Sequence, residues 1–167
     1  MPPVSARPHL EQALREASGV RFLCTGNVVR SAFAELYARH LGLALPVDSA
    51  ATHYENTRLI RPTRDALAVR GVDPALVAGF RPRPIWSLPP PEPRLLVLAM
   101  APLNLEAWRR FHPGHGPSFL LREIEGVAEA IADPVLDGTD FGEAFTAVGR
   151  CVERLLERLQ TGGSAPS

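Results

Sequence analysis

The sequence of 167 residues has only two cysteines and no lysine, so all 18 of its cationic side chains are arginines. Cys24 and Cys151 lie far apart, and they have neither the number nor the spacing of a disulfide framework or a cysteine metal site. Because 18 acidic side chains balance the arginines, the formal net charge is zero. Such a balance gives no field that would attract nucleic acid or an anionic membrane. We therefore expect neither as a partner.

Long hydrophobic runs are also missing. No stretch approaches the roughly 20 apolar residues of a membrane span, and residues 1–19 lack the apolar core of a secretory signal. Together with the cysteine content, this predicts a cytoplasmic protein. His112 and His115 lie in a loop rich in proline and glycine and have no third ligand nearby. We therefore predict no metal site and no cofactor.

Apolar runs alternate with segments of helical periodicity along the chain. The predicted strands are residues 20–23, 46–52, 94–100 and 118–121, and the predicted helices are residues 9–16, 31–41, 62–71, 102–111 and 141–159. This alternation predicts an α/β fold with a four-stranded parallel sheet and helices on both faces. Ligands of such sheets bind at the carboxyl ends of the strands, which is where Cys24 and Ser49 fall.

The length is that of one domain. We expect residues 1–18 to form an N-terminal extension with a short helix, residues 19–160 to form a single domain and residues 161–167 to form a flexible tail. Residues 80–93 contain six prolines. We interpret them as a stiff crossover loop, and a polyproline ligand for a partner protein is the alternative.

One stretch combines the residue types of an anion-binding site. A strand ends at Cys24, and a short polar loop then leads to Arg30, Ser31 and a helix. This shape directs backbone N–H groups and a helix N-terminus at one point, which attracts anions and favours a thiolate. Gly26 and Asn27 tolerate the positive φ that a tight loop needs. A buried structural cysteine is the alternative, because the spacing from Cys24 to Arg30 alone also arises by chance.

Three motifs, in chain order, resemble the low-molecular-weight protein tyrosine phosphatases. They are Cys24-Thr-Gly-Asn-Val-Val-Arg30-Ser31 followed by Ala34-Glu35, then Val47-Asp-Ser-Ala-Ala-Thr52, then Ala132-Asp133-Pro134 ahead of the last helix. The resemblance covers about residues 20–160. It implies the three-layer αβα fold of that family and a phosphatase-like domain at residues 19–160.

The resemblance also implies a role for each matching residue. Cys24 would be the nucleophile that forms a cysteinyl phosphate, and Arg30 would bind the phosphate oxygens. Asp133 would protonate the leaving group and then activate water. The loop amides and the side chains that hold the loop in shape would come from Thr25, Gly26, Asn27, Val28, Val29, Ser31 and Ser49. The implied reaction is metal-independent hydrolysis of phosphotyrosine or another small aryl phosphate, with inorganic phosphate as a product.

The sequence departs from the family in the loop and in the pocket. Val29 stands where the family often has a second cysteine that protects the nucleophile through a reversible disulfide. Val135 and Leu136 stand where the family often has an aromatic pair, so Tyr54 is the aromatic residue that we expect in the pocket. These changes leave the expected chemistry in place but bear on the choice of substrate.

Other interpretations fit some of the same residues. An arsenate reductase of this fold that uses a small-molecule thiol needs only one cysteine, whereas a thioredoxin-coupled reductase needs two more near the middle of the chain. A catalytically silent phospho-binding module needs neither Cys24 nor Asp133, so their presence favours an enzyme. Asp133 alone also fits a helix N-cap, although Asp137 and Asp140 fit that role better because they immediately precede the last helix.

Overall fold

A computed structural model describes residues 3–163, and the side chains of residues 9–161. One sheet contains β1 (Gly19–Cys24), β2 (Val47–Ala51), β3 (Leu95–Ala99) and β4 (Ser118–Leu120). Its strand order is β2-β1-β3-β4, and every neighbouring pair is parallel. This confirms the predicted four-stranded parallel sheet.

The helices of the described residues include all five that the sequence predicted. They are α1 (Pro3–Glu16), α2 (Arg30–His40), α3 (Arg61–Val69), α4 (Pro74–Gly79), α5 (Pro102–Phe111), α6 (Pro134–Asp137) and α7 (Phe141–Gly163). Short 3-10 turns cover Ile85–Ser87 and Leu121–Glu125. The helices α4 and α6 and both 3-10 turns were not predicted.

Both terminal helices are longer than expected. The helix α1 begins at Pro3 rather than at residue 9, and α7 continues past residue 159 to Gly163. Residues 161–163, predicted as part of the tail, are therefore helical, and the Thr161 hydroxyl donates to the carbonyl of Glu157 within the last turns. The remaining tail residues, 164–167, lie outside the described part of the chain.

The two faces of the sheet bury separate apolar clusters, because successive side chains of a strand point to opposite sides. Phe22 and Cys24 of β1 belong to the larger cluster, which α1, α2 and α7 cover. Leu23 belongs to the smaller cluster, which surrounds the fully buried Trp108 of α5. Helices thus cover both faces, which gives the predicted three layers.

The helix α2 is held rigidly because it lies between the sheet and α7. Most of its residues are buried, and the ring of Phe33 lies 4.9 Å from the ring of Phe145 on α7. A Cβ at Gly149 of α7 would already lie 3.5 Å from the ring of Tyr37. This close packing fixes the N-terminus of α2, and with it the loop that precedes the helix.

On both edge strands, side chains form hydrogen bonds with the backbone groups that face away from the rest of the sheet. On β2, Arg39 donates to the carbonyl of Val47 over 2.9 Å, and Arg83 donates to the carbonyl of Ser49 over 3.2 Å. On β4, the corresponding contacts are Arg109 Nη2 to the Ser118 carbonyl at 2.8 Å and the Leu120 N–H to Glu123 Oε2 at 2.7 Å.

The proline-rich segment is tied to the sheet at one point. Pro84 forms a parallel bridge with Ala51, and Ile85 is buried in the smaller cluster. Trp86 next to it is 48% exposed. This course fits the interpretation of residues 80–93 as a crossover loop. Among the helices of residues 3–163, none is both long enough and apolar enough to cross a membrane.

Candidate active site

The loop between β1 and α2 curls around the sulfur of Cys24. Cys24 ends β1 and is only 2% exposed. The backbone N–H of Asn27 donates to Sγ over 3.3 Å, and Ser31 Oγ lies 2.9 Å from Sγ. Asn27 has a φ of 57°, and no other non-glycine residue in the described chain has a positive φ. That conformation directs the Asn27 N–H at the sulfur, whereas Gly26, where the sequence analysis also allowed for a positive φ, does not have one.

The side chain of Asn27 joins the loop to the neighbouring strand. Its Nδ2 donates to Ser31 Oγ over 2.8 Å and to Ser49 Oγ of β2 over 2.9 Å. Its Oδ1 accepts the backbone N–H of Arg83 over 3.0 Å. The predicted loop-supporting residues therefore do meet, through one fully buried amide.

Two polar side chains hold the outer part of the loop. Asn56 Nδ2 donates to the carbonyl of Gly26 over 2.9 Å, and Thr63 Oγ1 donates to the carbonyl of Val28 over 2.6 Å. A Cβ at Gly26 would lie 2.9 Å from Asn56 Nδ2, which is closer than real Cβ atoms approach. A side chain at position 26 would therefore have to displace the Asn56 amide from its contact with the loop.

Arg30 lies at the start of α2 and is almost completely buried. Its Nη1 donates to the carbonyl of Ile131 over 2.6 Å, and its Nη2 lies 3.5 Å from Thr25 Oγ1 and 3.2 Å from Asp133 Oδ2. Its Nε is buried and has no hydrogen-bond partner within the described residues. A buried donor without an acceptor costs about 1–3 kcal/mol, so this nitrogen is suited to an anionic ligand.

Asp133 has the N-cap position that the sequence offered as the alternative to a catalytic role, and it also faces Arg30. Its Oδ1 caps α6 by accepting the backbone N–H of Val135 over 2.9 Å, while its Oδ2 faces Arg30. Asp140 caps α7 through the N–H of Glu143, and Asp137 accepts the N–H of Asp133. Capping α6 thus fixes the Asp133 carboxyl and leaves one oxygen at the loop around Cys24.

Cys24, Arg30 and Asp133 line one cavity of about 300 Å³. The predicted pocket residues Tyr54, Val135 and Leu136 also line it, and each is more than half exposed at its mouth. Its wall includes further residues that the sequence did not single out for the pocket: Val28, Asn56 and Ile60. Sequence reasoning missed Asn56 and Ile60 because they lie in an irregular segment with no motif.

A buried carboxylate lies behind the loop and was also missed. Glu35 of α2 is 2% exposed; its Oε1 accepts the Ser49 hydroxyl over 2.7 Å and lies 3.4 Å from Arg83 Nη2. Its Oε2 lies 3.1 Å from Arg39. Burial raises the pKa of Glu35, and the Ser49 hydrogen bond and both arginines act against that rise. The sequence did contain a signal that Glu35 lies near the loop, since Glu35 follows Ser31 by one helical turn.

Asn104 is another buried polar residue near the loop. Its Nδ2 donates to Thr25 Oγ1 over 3.2 Å and to Thr52 Oγ1 over 2.9 Å, which connects α5 to the loop and to the end of β2. Asn104 lies in the first turn of α5, just beyond the carboxyl end of β3. Its position just after a predicted strand was a signal in the sequence that Asn104 lies near the loop.

The described side chains, residues 9–161, contain no group of three or more His, Cys, Asp or Glu residues able to hold a metal ion. His112 and His115 instead pack against Trp108. The ring of His112 lies 4.4 Å from the indole, and Trp108 Nε1 lies 3.3 Å from His115 Nδ1. Both histidine rings are half-buried, and their contacts are packing contacts with Trp108.

No family model matches the sequence, and no curated protein matches it. Solved structures do match the fold. YfkJ from Bacillus subtilis is 22% identical with a TM-score of 0.72 over 87% of this chain and 96% of that one. The YwlE arginine phosphatase from Geobacillus stearothermophilus is 23% identical with a TM-score of 0.71 over 86% and 94%. SP-PTP, a low-molecular-weight protein tyrosine phosphatase from Streptococcus pyogenes, is 20% identical with a TM-score of 0.66 over 84% and 92%. The chain therefore has the three-layer αβα fold of the low-molecular-weight protein tyrosine phosphatases, as its motifs predicted.

Proposed function

We propose that this chain is a metal-independent phosphatase that hydrolyses aryl phosphate monoesters, phosphotyrosine among them, through a cysteinyl-phosphate intermediate. The observation that carries the proposal is that Cys24, Arg30 and Asp133 line one cavity although they come from distant parts of the sequence. A nucleophile, an anion-binding fork and a proton donor are the groups that phosphate transfer from an ester to a thiolate requires.

In the first step the Cys24 thiolate attacks phosphorus, and the bond from phosphorus to the leaving phenolic oxygen breaks. Asp133 gives its proton to that oxygen, so the phenol leaves in neutral form. The Ser31 hydroxyl and the Asn27 N–H, both in contact with Sγ, stabilise the thiolate before attack.

In the second step a water molecule attacks the phosphorus of the cysteinyl phosphate. Asp133, now ionised, accepts a proton from that water, and the bond between sulfur and phosphorus breaks. Inorganic phosphate leaves, and the thiolate and the protonated Asp133 are restored. No external reductant or cofactor takes part in this cycle.

Arg30 is the group that binds the transferring phosphoryl oxygens. The guanidinium is planar and permanently charged, so it can hold two oxygens at once and stabilise charge spread over the equatorial oxygens. Its buried Nε lacks an acceptor among the described residues, and a phosphate oxygen would supply that acceptor. The α2 N-terminus and the inward amides add to the anion site.

The cavity wall supports an aryl leaving group over a guanidino group such as phosphoarginine. Beyond the catalytic groups, the wall is made by the ring of Tyr54 and by the apolar side chains of Val28, Ile60, Val135 and Leu136. A flat apolar ring packs well against such a surface. A guanidinium would need carboxylates, and Asp133 is the only carboxylate among the residues that line this cavity.

The test is the hydrolysis of p-nitrophenyl phosphate, a phosphotyrosine peptide and phosphoarginine in the presence of a metal chelator. We expect turnover of the two aryl phosphates, essentially none by Cys24→Ser, and a kcat loss of about 10²–10⁴-fold for Asp133→Ala. Asp140→Ala is the matched control, because it removes a capping carboxylate at α7 rather than at α6.

Three results would contradict the proposal in different ways. Activity only with arsenate plus a small-molecule thiol would indicate a reductase. Phosphate binding without turnover would indicate a phospho-binding module. A clear preference for phosphoarginine would agree with the proposed cysteinyl-phosphate mechanism but would contradict the proposed class of substrate.

A further inference from the structure

Two reciprocal hydrogen bonds join Asp133 to Asp137 across the single turn of α6. Asp137 Oδ2 accepts the backbone N–H of Asp133 over 2.9 Å, and the backbone N–H of Asp137 donates to the carbonyl of Asp133 over 2.8 Å. Asp133 is the N-cap of α6, and Asp137 is its last residue. The two ends of the turn are therefore fastened to each other, and we call this pair of hydrogen bonds the clasp.

The helix α6 depends on such contacts because it is so short. It has four residues, and one helical turn is not stable by itself, since its nucleation fixes several dihedral angles for one hydrogen bond. Val135 and Leu136 are 58% and 57% exposed, so Pro134 is the residue of α6 that is buried. Gly138 then ends the turn with a φ of 67°. Side chains that bind the backbone at its two ends therefore hold this turn in shape.

The shape of the turn decides where the Asp133 carboxyl points. Its Oδ1 accepts the backbone N–H groups of Val135 over 2.9 Å and of Leu136 over 3.4 Å, and both groups belong to α6. Its Oδ2 faces Arg30 over 3.2 Å. If the turn opened, Oδ1 would lose its donors and Oδ2 would lose its fixed position beside Arg30. The clasp thus acts on the carboxyl through the backbone.

We propose that Asp137 is a positioning residue for proton transfer: its carboxylate closes α6 onto Asp133 and so holds the Asp133 carboxyl toward the cavity that contains Cys24. Asp137 is not among the residues that line this cavity, and it acts through Asp133. The inference deepens the proposed phosphatase function and rests on it for its catalytic meaning.

The test compares kcat/KM for two substrates, phenyl phosphate and p-nitrophenyl phosphate. This ratio reports the first step, in which the bond from phosphorus to the phenolic oxygen breaks. Phenolate is the more basic leaving group, so it depends more on a proton from Asp133 than p-nitrophenolate does. A displaced proton donor should therefore slow phenyl phosphate more than p-nitrophenyl phosphate.

For Asp137→Ala we expect kcat/KM to fall about threefold to tenfold with phenyl phosphate and less than about twofold with p-nitrophenyl phosphate. Asp137→Asn keeps a side-chain oxygen that can accept the N–H of Asp133, so it should stay close to the wild type with both substrates. Because Asp137 is exposed, neither change disturbs the core. A purely structural role would lower the melting temperature and reduce both values of kcat/KM by the same factor.

Asp140→Ala is the matched control. Asp140 is also an exposed carboxylate that accepts a backbone N–H, that of Glu143 over 3.0 Å, but it caps α7 and does not contact Asp133. It should leave the relative kcat/KM of the two substrates unchanged. An equal loss with both substrates in Asp137→Ala would overturn the proposal. So would a loss in Asp137→Asn as large as in Asp137→Ala, because the charge rather than the hydrogen bond would then matter.

Hydrogen exchange of the Asp133 amide, followed by nuclear magnetic resonance, tests the clasp without any turnover. The amide should exchange faster in Asp137→Ala than in the wild type, and Asp137→Asn should restore slow exchange. Equal exchange in all three proteins would contradict the clasp. The proposed function is judged separately, from turnover by the wild type. A wild type without aryl phosphatase activity would contradict that function, whereas active protein with an equal loss for both substrates would contradict only the role of Asp137.

Discussion

Asp133 Oδ2 lies 3.2 Å from Arg30 Nη2, so the carboxylate occupies the side of the guanidinium that an incoming phosphate would need. Both side chains are mostly buried, with 3% and 14% of their surfaces exposed. In the proposed function, a phosphate that takes Nη2 together with Nε has to displace this carboxylate. The ion pair and the proposed anion site then compete for the same nitrogen.

The first prediction follows from that competition. Asp133→Asn keeps an oxygen for the N–H of Val135 but removes the charge that pairs with Arg30. We expect inorganic phosphate to bind about threefold to tenfold more tightly, because a partly buried ion pair no longer has to be broken. We expect kcat for p-nitrophenyl phosphate to fall about 10²–10⁴-fold. Calorimetric titration and steady-state kinetics measure the two effects.

Asp140→Asn is the control for this pair of measurements, because it changes the cap of α7 and not the partner of Arg30. It should leave phosphate affinity and kcat close to the wild-type values. Equal phosphate affinity in Asp133→Asn and the wild type would show that the ion pair does not compete with the anion.

The second prediction concerns the exposed wall of the cavity. Leu136 is 57% exposed and stands where an aromatic residue could cover a substrate ring. We expect Leu136→Tyr to lower KM for a phosphotyrosine peptide about twofold to tenfold at nearly constant kcat, because ring stacking contributes about 0.5–1.5 kcal/mol. Leu136→Met, which changes shape but adds no ring, is the control. A lower KM with methionine as well would argue against stacking.

The third prediction concerns oxidation. Cys151 is fully buried in α7, and burial, reinforced by Glu125, raises the pKa of its thiol to about 12, so it is not suited to resolve an oxidised Cys24. Hydrogen peroxide should therefore carry Cys24 beyond the sulfenic acid to forms that thiols do not reduce. After peroxide and then dithiothreitol, the wild type should recover only a minor part of its activity.

Val29→Cys supplies the missing partner next to the nucleophile, since Val29 lines the same cavity. This variant should recover most of its activity through a disulfide that dithiothreitol reduces. Equal recovery by both proteins would mean that Cys24 is protected in another way. Val28→Cys tests whether the effect depends on the position in the loop.

The fourth prediction is a pH dependence of stability. Burial lowers the pKa of His112 and of His115 below the ordinary value of 6.5, and the nearby positive charge of Arg21 lowers both further. Below pH 6.5 the unfolded chain therefore binds protons at these rings more readily than the folded chain. The free energy of unfolding should fall as the pH drops below 6.5, and His112→Phe should make that fall shallower. Urea titrations measure the free energy of unfolding between pH 5 and 7, roughly the range in which histidine titrates. The control for His112→Phe is the same change at His40, which is exposed.

The sequence predicted the strands and the longer helices because each has a clear apolar pattern. The helix α4 was missed because it spans only Pro74–Gly79, which is too short to show a helical apolar repeat, although Leu76 and Val77 pack against the larger cluster. Asp73 caps it by accepting the N–H of Ala75, and the Asp73-Pro74 pair was the available signal. The start of α1 was misjudged for a different reason, since its first residues carry no helical apolar repeat, whereas its end at Glu16 was predicted.

The residues around Cys24 and the supporting side chains of Asn27, Ser31 and Ser49 were predicted from motifs, whereas the more distant supports were not assigned a role. Glu35, Arg83 and Asn104 reach the loop from different elements, and nothing local in the sequence states which buried polar groups will meet. Asp133 shows the opposite case. An N-cap was treated as the alternative to a catalytic role, but a carboxyl has two oxygens: Oδ1 caps α6, and Oδ2 remains free to face Arg30.

Arginine and glutamate side chains hold the outermost peptide groups of β2 and β4, as Arg39 does with Val47 and Glu123 does with Leu120. A fifth strand from another molecule would have to break these bonds before it could extend the sheet. The protein should therefore resist edge-to-edge polymerisation at high concentration, and that resistance depends on a few charged side chains and, on β2, on the bridge from Pro84 to Ala51.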